Sequence, residues 1–206
     1  MKHEEIKQAA HGSPVVQLKD AADERLVELV QNGSEAAFAE LMKRYMQKSC
    51  AIAFQIVGDS ETAKDLSQDV FVKIYRSIHQ FKKGNRFFSW FYRILLNHCI
   101  NYHRRKKNIS IYPFSHFSTH SEKTLDVSDA SQQSSDEKED RRKIVSKAVN
   151  RLSAKHKKVV ILCDIESLSQ EEAAEILGIS VGTVRSRLHY ARKHLKRFLK
   201  DYITEL

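Results

Sequence analysis

The stretch SQEEAAEILGISVGTVRSRL, residues 169–188, admits very few folds. Ser169 with Glu172 three residues on is a capping box, the start signal of a helix. Ala173 and Ala174 are small enough to let a second helix cross closely. Gly178 stands where a helix ends in a left-handed residue. Ile179 can plug the turn and Ser180 can cap the next helix, with Val184 and Leu188 facing inward. Two short helices joined by a tight turn form a helix-turn-helix. The second helix runs on. Val181, Val184, Leu188, Ala191, Leu195 and Phe198 recur at steps of three and four, one face of a helix. From Val181 to Lys200 the cations are Arg185, Arg187, Arg192, Lys193, Lys196, Arg197 and Lys200, with no Asp or Glu among them. One side of such a helix packs on a core and the other side wants an anion. Thr183, Arg185, Ser186, Arg187, His189, Tyr190 and Arg192 lie on the outer side. An arginine near the start can fork onto a guanine edge, and later cations such as Lys196 suit phosphates.

The rest of the chain reads as helical too. Glycine and proline are scarce, six and two in 206 residues, and no Asn-Gly or Asp-Gly hairpin joins alternating strands. An all-α fold is expected. A first block, 23–107, holds DERLVELVQNG, a helix opening on Ser34, DSETAKDLSQDVFVKIYRSIHQF, and then a loop and a long helix. A second block, 138–206, holds EDRRKIVSKAVNRL, SAKHKKVVILCDIE and the helix-turn-helix. Between them, 108–137 is Ser-rich, acidic and poor in large apolar residues, which predicts a flexible tether. Residues 1–22 form an N-terminal extension with no assignable role.

Charge is distributed accordingly. Residues 1–106 carry 17 cations and 12 anions, 107–137 carry 2 and 5, and 138–206 carry 16 and 9, for a net +9. Two basic blocks around an acidic connector suit a polyanion touched at two places. No apolar run approaches the roughly 20 residues of a membrane helix, and MKHEEIKQAAHGSP lacks a signal-peptide core, so a cytoplasmic protein is expected. Cys50, Cys99 and Cys163 are odd in number and not in CxxC spacing, and His116 and His120 have no third ligand. Neither a disulfide framework nor a metal site follows.

One segment is unusual. In FKKGNRFFSWFYRILLNHCINYHRRKK, Phe81, Phe87, Phe88, Trp90, Phe91 and Tyr92 alternate with Lys82, Lys83, Arg86 and Arg93. Aromatics beside cations make stacking platforms for unpaired bases. Trp90, Phe91 and Ile94 are better read as core. Asn97 and Asn101 are expected to be exposed. No P-loop, carboxylate cluster or nucleophilic constellation accompanies these features, so no enzyme and no cofactor is expected. The chain reads as one that positions and opens DNA for another machine.

In this order, DLSQDVFVKIY, FFSWFYRILLN and LSQEEAAEILGISVGTVRSRLHYARKHL resemble the extracytoplasmic-function sigma factors, promoter-specificity subunits of bacterial RNA polymerase. The resemblance implies two small helical domains, a region 2 bundle (23–107) and a region 4 helix-turn-helix domain (138–206), joined by a flexible linker. It implies that Asp65, Gln68, Asp69, Val72, Lys73 and Arg76 bind the β′ clamp of core polymerase, with β also in contact. It implies that Lys82, Lys83, Asn85, Arg86, Phe87, Phe88, Trp90, Asn97 and Asn101 meet the −10 element. Thr183, Arg185, Ser186, Arg187, His189, Tyr190, Arg192 and Lys196 would read the −35 element. An anti-sigma factor is a further partner implied by the family, and a stress response its usual setting. The rival readings are a helix-turn-helix activator or repressor that is not a polymerase subunit, which fits the aromatic-basic segment poorly, and a DNA nuclease or recombinase, which would need catalytic groups the chain lacks.

Overall fold

The computed structural model describes residues 18–109 and 133–203, and no strand occurs among them. The helices are α1 (Asp23–Gln31), α2 (Glu35–Val57), α3 (Ser60–Ser77), α4 (Phe87–Ile109), α5 (Gln133–Asn150), α6 (Ala154–Val160), α7 (Gln170–Leu177) and α8 (Val181–Ile203). A 3₁₀ turn, Ile78–Gln80, follows α3, and a π-turn, Ile161–Ile165, extends α6. Helix α5 starts at Gln133, inside the stretch whose composition reads as tether. Glu and Lys in that stretch lose little rotamer freedom in a helix, so its polar composition does not exclude one. The rest of that stretch, with His116 and His120, lies outside the described residues, as do residues 1–17.

Caps fix the boundaries. The Ala37 amide donates to Ser34 Oγ (3.3 Å) at the start of α2. The Thr62 amide donates to Asp59 Oδ2 (2.8 Å) at the start of α3, and bonding to Thr62 holds the Asp59 carboxyl below its ordinary pKa. Helix α2 ends at Gly58, φ 76°. A Cβ there would be strained by the backbone and would also meet Ser146 Oγ of α5 at 3.3 Å. The end of the N-terminal extension is tied down, because the Arg44 guanidinium donates to the Leu18, Lys19 and Ala21 carbonyls at 2.8–3.0 Å.

Helices α1–α4 form the first bundle around Leu26, Leu41, Ile52, Ile56, Ile74 and Leu95, all fully buried. The aromatic segment supplies much of this core. Phe87 packs on Tyr45, Phe81, Trp90 and Phe91 with ring centroids 5.4–6.3 Å apart. Burying each such ring contributes up to about 3 kcal/mol. Helices α5–α8 close around Val149, Val159, Ile161, Ile176, Val184, Leu188 and Ala191.

The two bundles pack on each other and their apolar cores are continuous. Helix α5 lies along α2, where Ser146 Oγ donates to the Phe54 and Gln55 carbonyls at 3.3 Å. Helix α7 lies on α4. There the Arg93 guanidinium donates to the Ile176 and Glu175 carbonyls at 2.9 and 3.0 Å, acceptors that the last turn of a helix leaves without intrahelical partners. Tyr92 Oη donates to Glu166 Oε2 (2.7 Å), Ser89 Oγ to Glu175 Oε1 (2.7 Å) and Lys158 Nζ to Asn97 Oδ1 (2.6 Å). Burial and the Glu166 carboxylate push the Tyr92 hydroxyl well above the ordinary tyrosine range, so it remains a donor.

Candidate nucleic-acid interface

The helix-turn-helix has the geometry its sequence implies. The Ser169–Glu172 box is reciprocal, with bonds of 3.1 and 3.0 Å, and Gly178 has φ 65°. Ser180 Oγ accepts from the Thr183 amide (3.2 Å) and bonds the Thr183 hydroxyl (2.8 Å). Thr183 is therefore half-buried and engaged in the cap. Val184, Leu188 and Ala191 are buried, while Arg185, Ser186, His189, Tyr190 and Lys196 are exposed. Tyr190, 56% exposed, projects from this face with the His189 ring edge-on, centroids 5.5 Å apart. Arg187 is half-buried. Arg192 is held by Asp164, with Nη2 2.6 Å from Oδ1 and Nε 3.3 Å from Oδ2, a hydrogen-bonded pairing that raises its pKa. Its guanidinium is thus oriented from within the domain.

A second surface lies between α2 and α3. Glu35, Phe38, Met42, Gln68, Phe71, Val72, Tyr75 and Arg76 line a groove of about 470 Å³. Val72 and Tyr75 are nearly half exposed, and the Phe38 and Tyr75 rings meet edge-on at 4.9 Å. Asp65, Gln68 and Asp69 are exposed beside it. Phe38, Met42 and Tyr75 escaped the sequence reading; Phe38 and Met42 sit at i, i+4 on α2, a spacing that reads as core unless the facing helix stops short.

The third surface is on α4. Lys73, Ile94, Asn97, His98, Asn101, Tyr102 and Arg105 line a pocket of about 350 Å³. Lys73 Nζ donates to His98 Nδ1 at 2.5 Å, and His98 Nε2 faces Asp69 Oδ2 at 3.5 Å. Burial and the Lys73 charge lower the His98 pKa, favouring a neutral ring. Asn97, Asn101 and Arg105 recur at i, i+4, i+8, a polar stripe that could have disclosed the pocket. The preceding loop keeps Lys82, Lys83, Asn85 and Arg86 exposed. Lys83 reaches Glu28 (3.4 Å) and Arg86 reaches Glu175 (3.6 Å).

Two sequence expectations, for Phe87 and Lys73, need correction here, while Trp90 packs on the core as its reading from the residues has it. Phe87 is fully buried, so it is a core residue in this conformation and no platform for an unpaired base. Half-buried Trp90 packs on Phe81 and Phe87, which leaves Phe88, also half-buried, as the aromatic nearest the loop surface. Lys73 lines the α4 pocket rather than the α2–α3 groove, because two residues away on either side, Phe71 and Tyr75 point to the opposite side of α3. The expected exposure of Asn97 and Asn101 is present, with Asn97 bonded by Lys158. Among the described residues no cluster of three or more His, Cys, Asp or Glu could hold a metal, and no helix is long and apolar enough to cross a membrane.

The fold and these faces define a class: an all-helical, two-module nucleic-acid-binding protein with one module of helix-turn-helix type. The Sigma-70 region 2 family matches residues 41–109, and Sigma-70 region 4 matches 142–195. The ECF RNA polymerase sigma-E factor of Haemophilus influenzae is 34% identical over 182 residues, covering 84% of this chain and 93% of that one. The ECF sigma factor SigW of Bacillus subtilis is 30% identical over 183 residues, covering 85% and 95%. The chain is also similar in structure to CnrH, solved in complex with the cytosolic domain of CnrY, with TM-score 0.64, 25% identity, and 88% and 99% coverage. The chain belongs to the extracytoplasmic-function sigma factors. It is an RNA polymerase sigma factor, a transcription initiation factor and not an enzyme.

Proposed function

We propose that the three surfaces divide the work of initiation. In this reading residues 23–107 are the region 2 domain and 138–206 the region 4 domain. The α2–α3 groove, with Asp65, Gln68, Asp69, Val72 and Arg76 at its rim, docks the β′ clamp of core polymerase. The α4 pocket and its loop, with Lys73, Lys82, Lys83, Asn85, Arg86, Phe88, Asn97 and Asn101, hold the −10 element and promote melting. The exposed face of α8, with Arg185, Ser186, His189, Tyr190 and Lys196, reads the −35 element, with Arg187 and Arg192 toward phosphate. The observation that carries the reading is the contrast between the groove, an apolar surface with a charged rim, and two polar faces rich in cations and amides. The first suits protein, the other two nucleic acid. An intracellular location, a stress-linked regulon and an anti-sigma partner follow from family membership, and the Bartonella quintana sigma factor RpoE was solved in complex with the anti-sigma factor NepR.

The test is reconstitution. The chain should co-elute with core polymerase and select promoters from a randomised pool. Asp65→Lys/Asp69→Lys together should weaken that association at least about tenfold; unchanged core affinity would remove the groove from the reading. A chain that footprints duplex DNA alone and never joins the polymerase would favour an independent activator or repressor.

A further inference from the structure

Arg192 is gripped side-on by a carboxylate from another element. Asp164 Oδ1 accepts from Nη2 at 2.6 Å and Oδ2 from Nε at 3.3 Å. The acceptor is the more enclosed partner, 27% exposed against 60% for the arginine side chain. Asp164 lies in the π-turn, where the Glu166 amide donates to the Ile161 carbonyl (2.9 Å) and Ile161 and Leu162 are buried. Such turns are rare and recur at functional sites. The carboxylate is thus fixed to the core of its bundle, and the guanidinium is fixed to the carboxylate.

The remaining donors point outward to a use. A guanidinium has five N–H groups. Asp164 takes one from Nε and one from Nη2, which leaves one on Nη2 and two on Nη1. The fork formed by the two Nη groups is the shape that meets a phosphate with two parallel bonds. Arg192 shares a stripe of α8 with Arg185, His189 and Lys196, at i, i+4, i+7 and i+11. Seven residues of helix advance about 10 Å, so Arg192 stands about three base pairs beyond the point where Arg185 reaches a base edge.

Two plainer roles fit poorly. An ion pair as exposed as this one adds little to stability. A carboxylate kept beside a polyanion repels it, so Asp164 opposes binding unless the orientation it imposes on Arg192 outweighs the repulsion.

We propose that Asp164 is a positioning residue for −35 recognition, holding the Arg192 guanidinium with its Nη edge outward for a phosphate of the −35 duplex. This rests on the −35 assignment of α8 given above. Loss of the Asp164 carboxylate should therefore weaken binding although the protein becomes more positive.

The experiment measures holoenzyme binding to a promoter fragment carrying the −35 sequence recovered from the selection, over a range of salt. Asp164→Ala should weaken binding roughly fivefold and leave the salt slope near that of wild type, because no cation is lost. Asp164→Asn keeps one acceptor and should fall between the two. Glu171, whose charge also reaches Cys163 beside Asp164, is the control: Glu171→Ala removes a nearby carboxylate and should tighten binding slightly. Arg192→Ala should weaken binding and lower the salt slope by about 1. In the Arg192→Ala background neither Asp164 substitution should weaken binding further, the non-additivity of two residues acting through one contact. Thermal melts report folding, and if Asp164→Ala melts well below wild type, Asp164→Asn with and without Arg192 decides. Tightening by the Asp164 variants to match Glu171→Ala, or an equal loss with and without Arg192, overturns the proposal. A wild-type holoenzyme with no base preference in the −35 region of the pool overturns the assignment of α8 instead, whatever the variants do.

Discussion

Helices α4 and α8 are both 23 residues long, both basic and both expected to touch DNA, yet they meet the rest of the molecule differently. Helix α8 buries one stripe and leaves the other side to solvent. Helix α4 is covered from two directions, by α1–α3 on one side and by α7 on the other. Its Phe87, Phe91, Tyr92, Leu95, Leu96 and Cys99 are all buried. A helix with one buried face announces that face through its period. A helix between two partners spreads its apolar residues around the axis, and period no longer separates core from site.

The largest consequence is for stability. Phe87→Ala should cost about 3–5 kcal/mol, because the ring is fully enclosed by four other aromatic side chains and its loss leaves a cavity. Tyr190→Ala on α8 should change stability by less than about 0.5 kcal/mol while weakening −35 binding. Urea unfolding of both variants measures the contrast. Similar costs for the two would mean that α4 is no more enclosed than α8.

That contrast also shows what could be read from the residues. The helix-turn-helix was legible down to its cap, its glycine and its buried Val184 and Leu188, because each is a local signal. The all-α fold followed from scarce glycine and proline. The same period failed for Phe87, whose enclosure depends on Tyr45, far away in the chain, and for the α2–α3 groove, which depends on how two helices meet. The packing of α7 on α4 left no mark at all: Glu175, Ser89 and Arg93 look like ordinary surface residues until the bundles are brought together. Arg192 is the intermediate case, its place on the outer face legible and its restraint by Asp164, 28 positions earlier, not.

The next effect sharpens the comparison within α8. Arg185 is exposed one turn into the recognition helix, with only a 3.4 Å contact to Gln170. Arg185→Ala should relax preference at one or two adjacent −35 positions by about 1–3 kcal/mol. Lys196→Ala should weaken all sequences evenly and flatten the salt dependence. Promoter selection by each holoenzyme decides; a changed base preference in Lys196→Ala would mean that the two roles are exchanged.

A smaller effect concerns what holds the recognition helix in place. Ser169→Ala removes one half of the capping box of α7 and should cost about 1 kcal/mol. Because α7 packs on α8 through buried Ala173, Ala174 and Ile176, the variant should lower stability and −35 affinity together, whereas Ser34→Ala, a cap on α2, should lower stability alone. Calorimetry with duplex binding on both variants separates the two; parallel losses in affinity would mean that α7 does not specifically support α8.

The smallest expected effect is titration of a histidine in each region. His98 on α4 is flanked by Lys73 and Asp69 from α3 and by Arg105 on its own helix. Burial first, then the Lys73 charge, lowers its pKa below 6.5, and Asp69 only partly opposes this. His156 on α6 is lowered in the same sense by burial, with Lys155, His194 and Arg187 adding to it. For a base depressed by folding, the unfolded chain takes up its proton first. As pH falls through about 6.5, the unfolded state therefore binds more protons than the folded one, and stability declines until the folded-state pKa is passed. His98→Asn should remove part of this decline and His156→Asn another part, with the larger share at His98, the more buried ring. Urea midpoints between pH 7.5 and 5 test this. A His98→Asn protein that loses stability on acidification as steeply as wild type would show that the α4 pocket does not disfavour the imidazolium, and that Lys73 is held there by contacts other than a neutral ring.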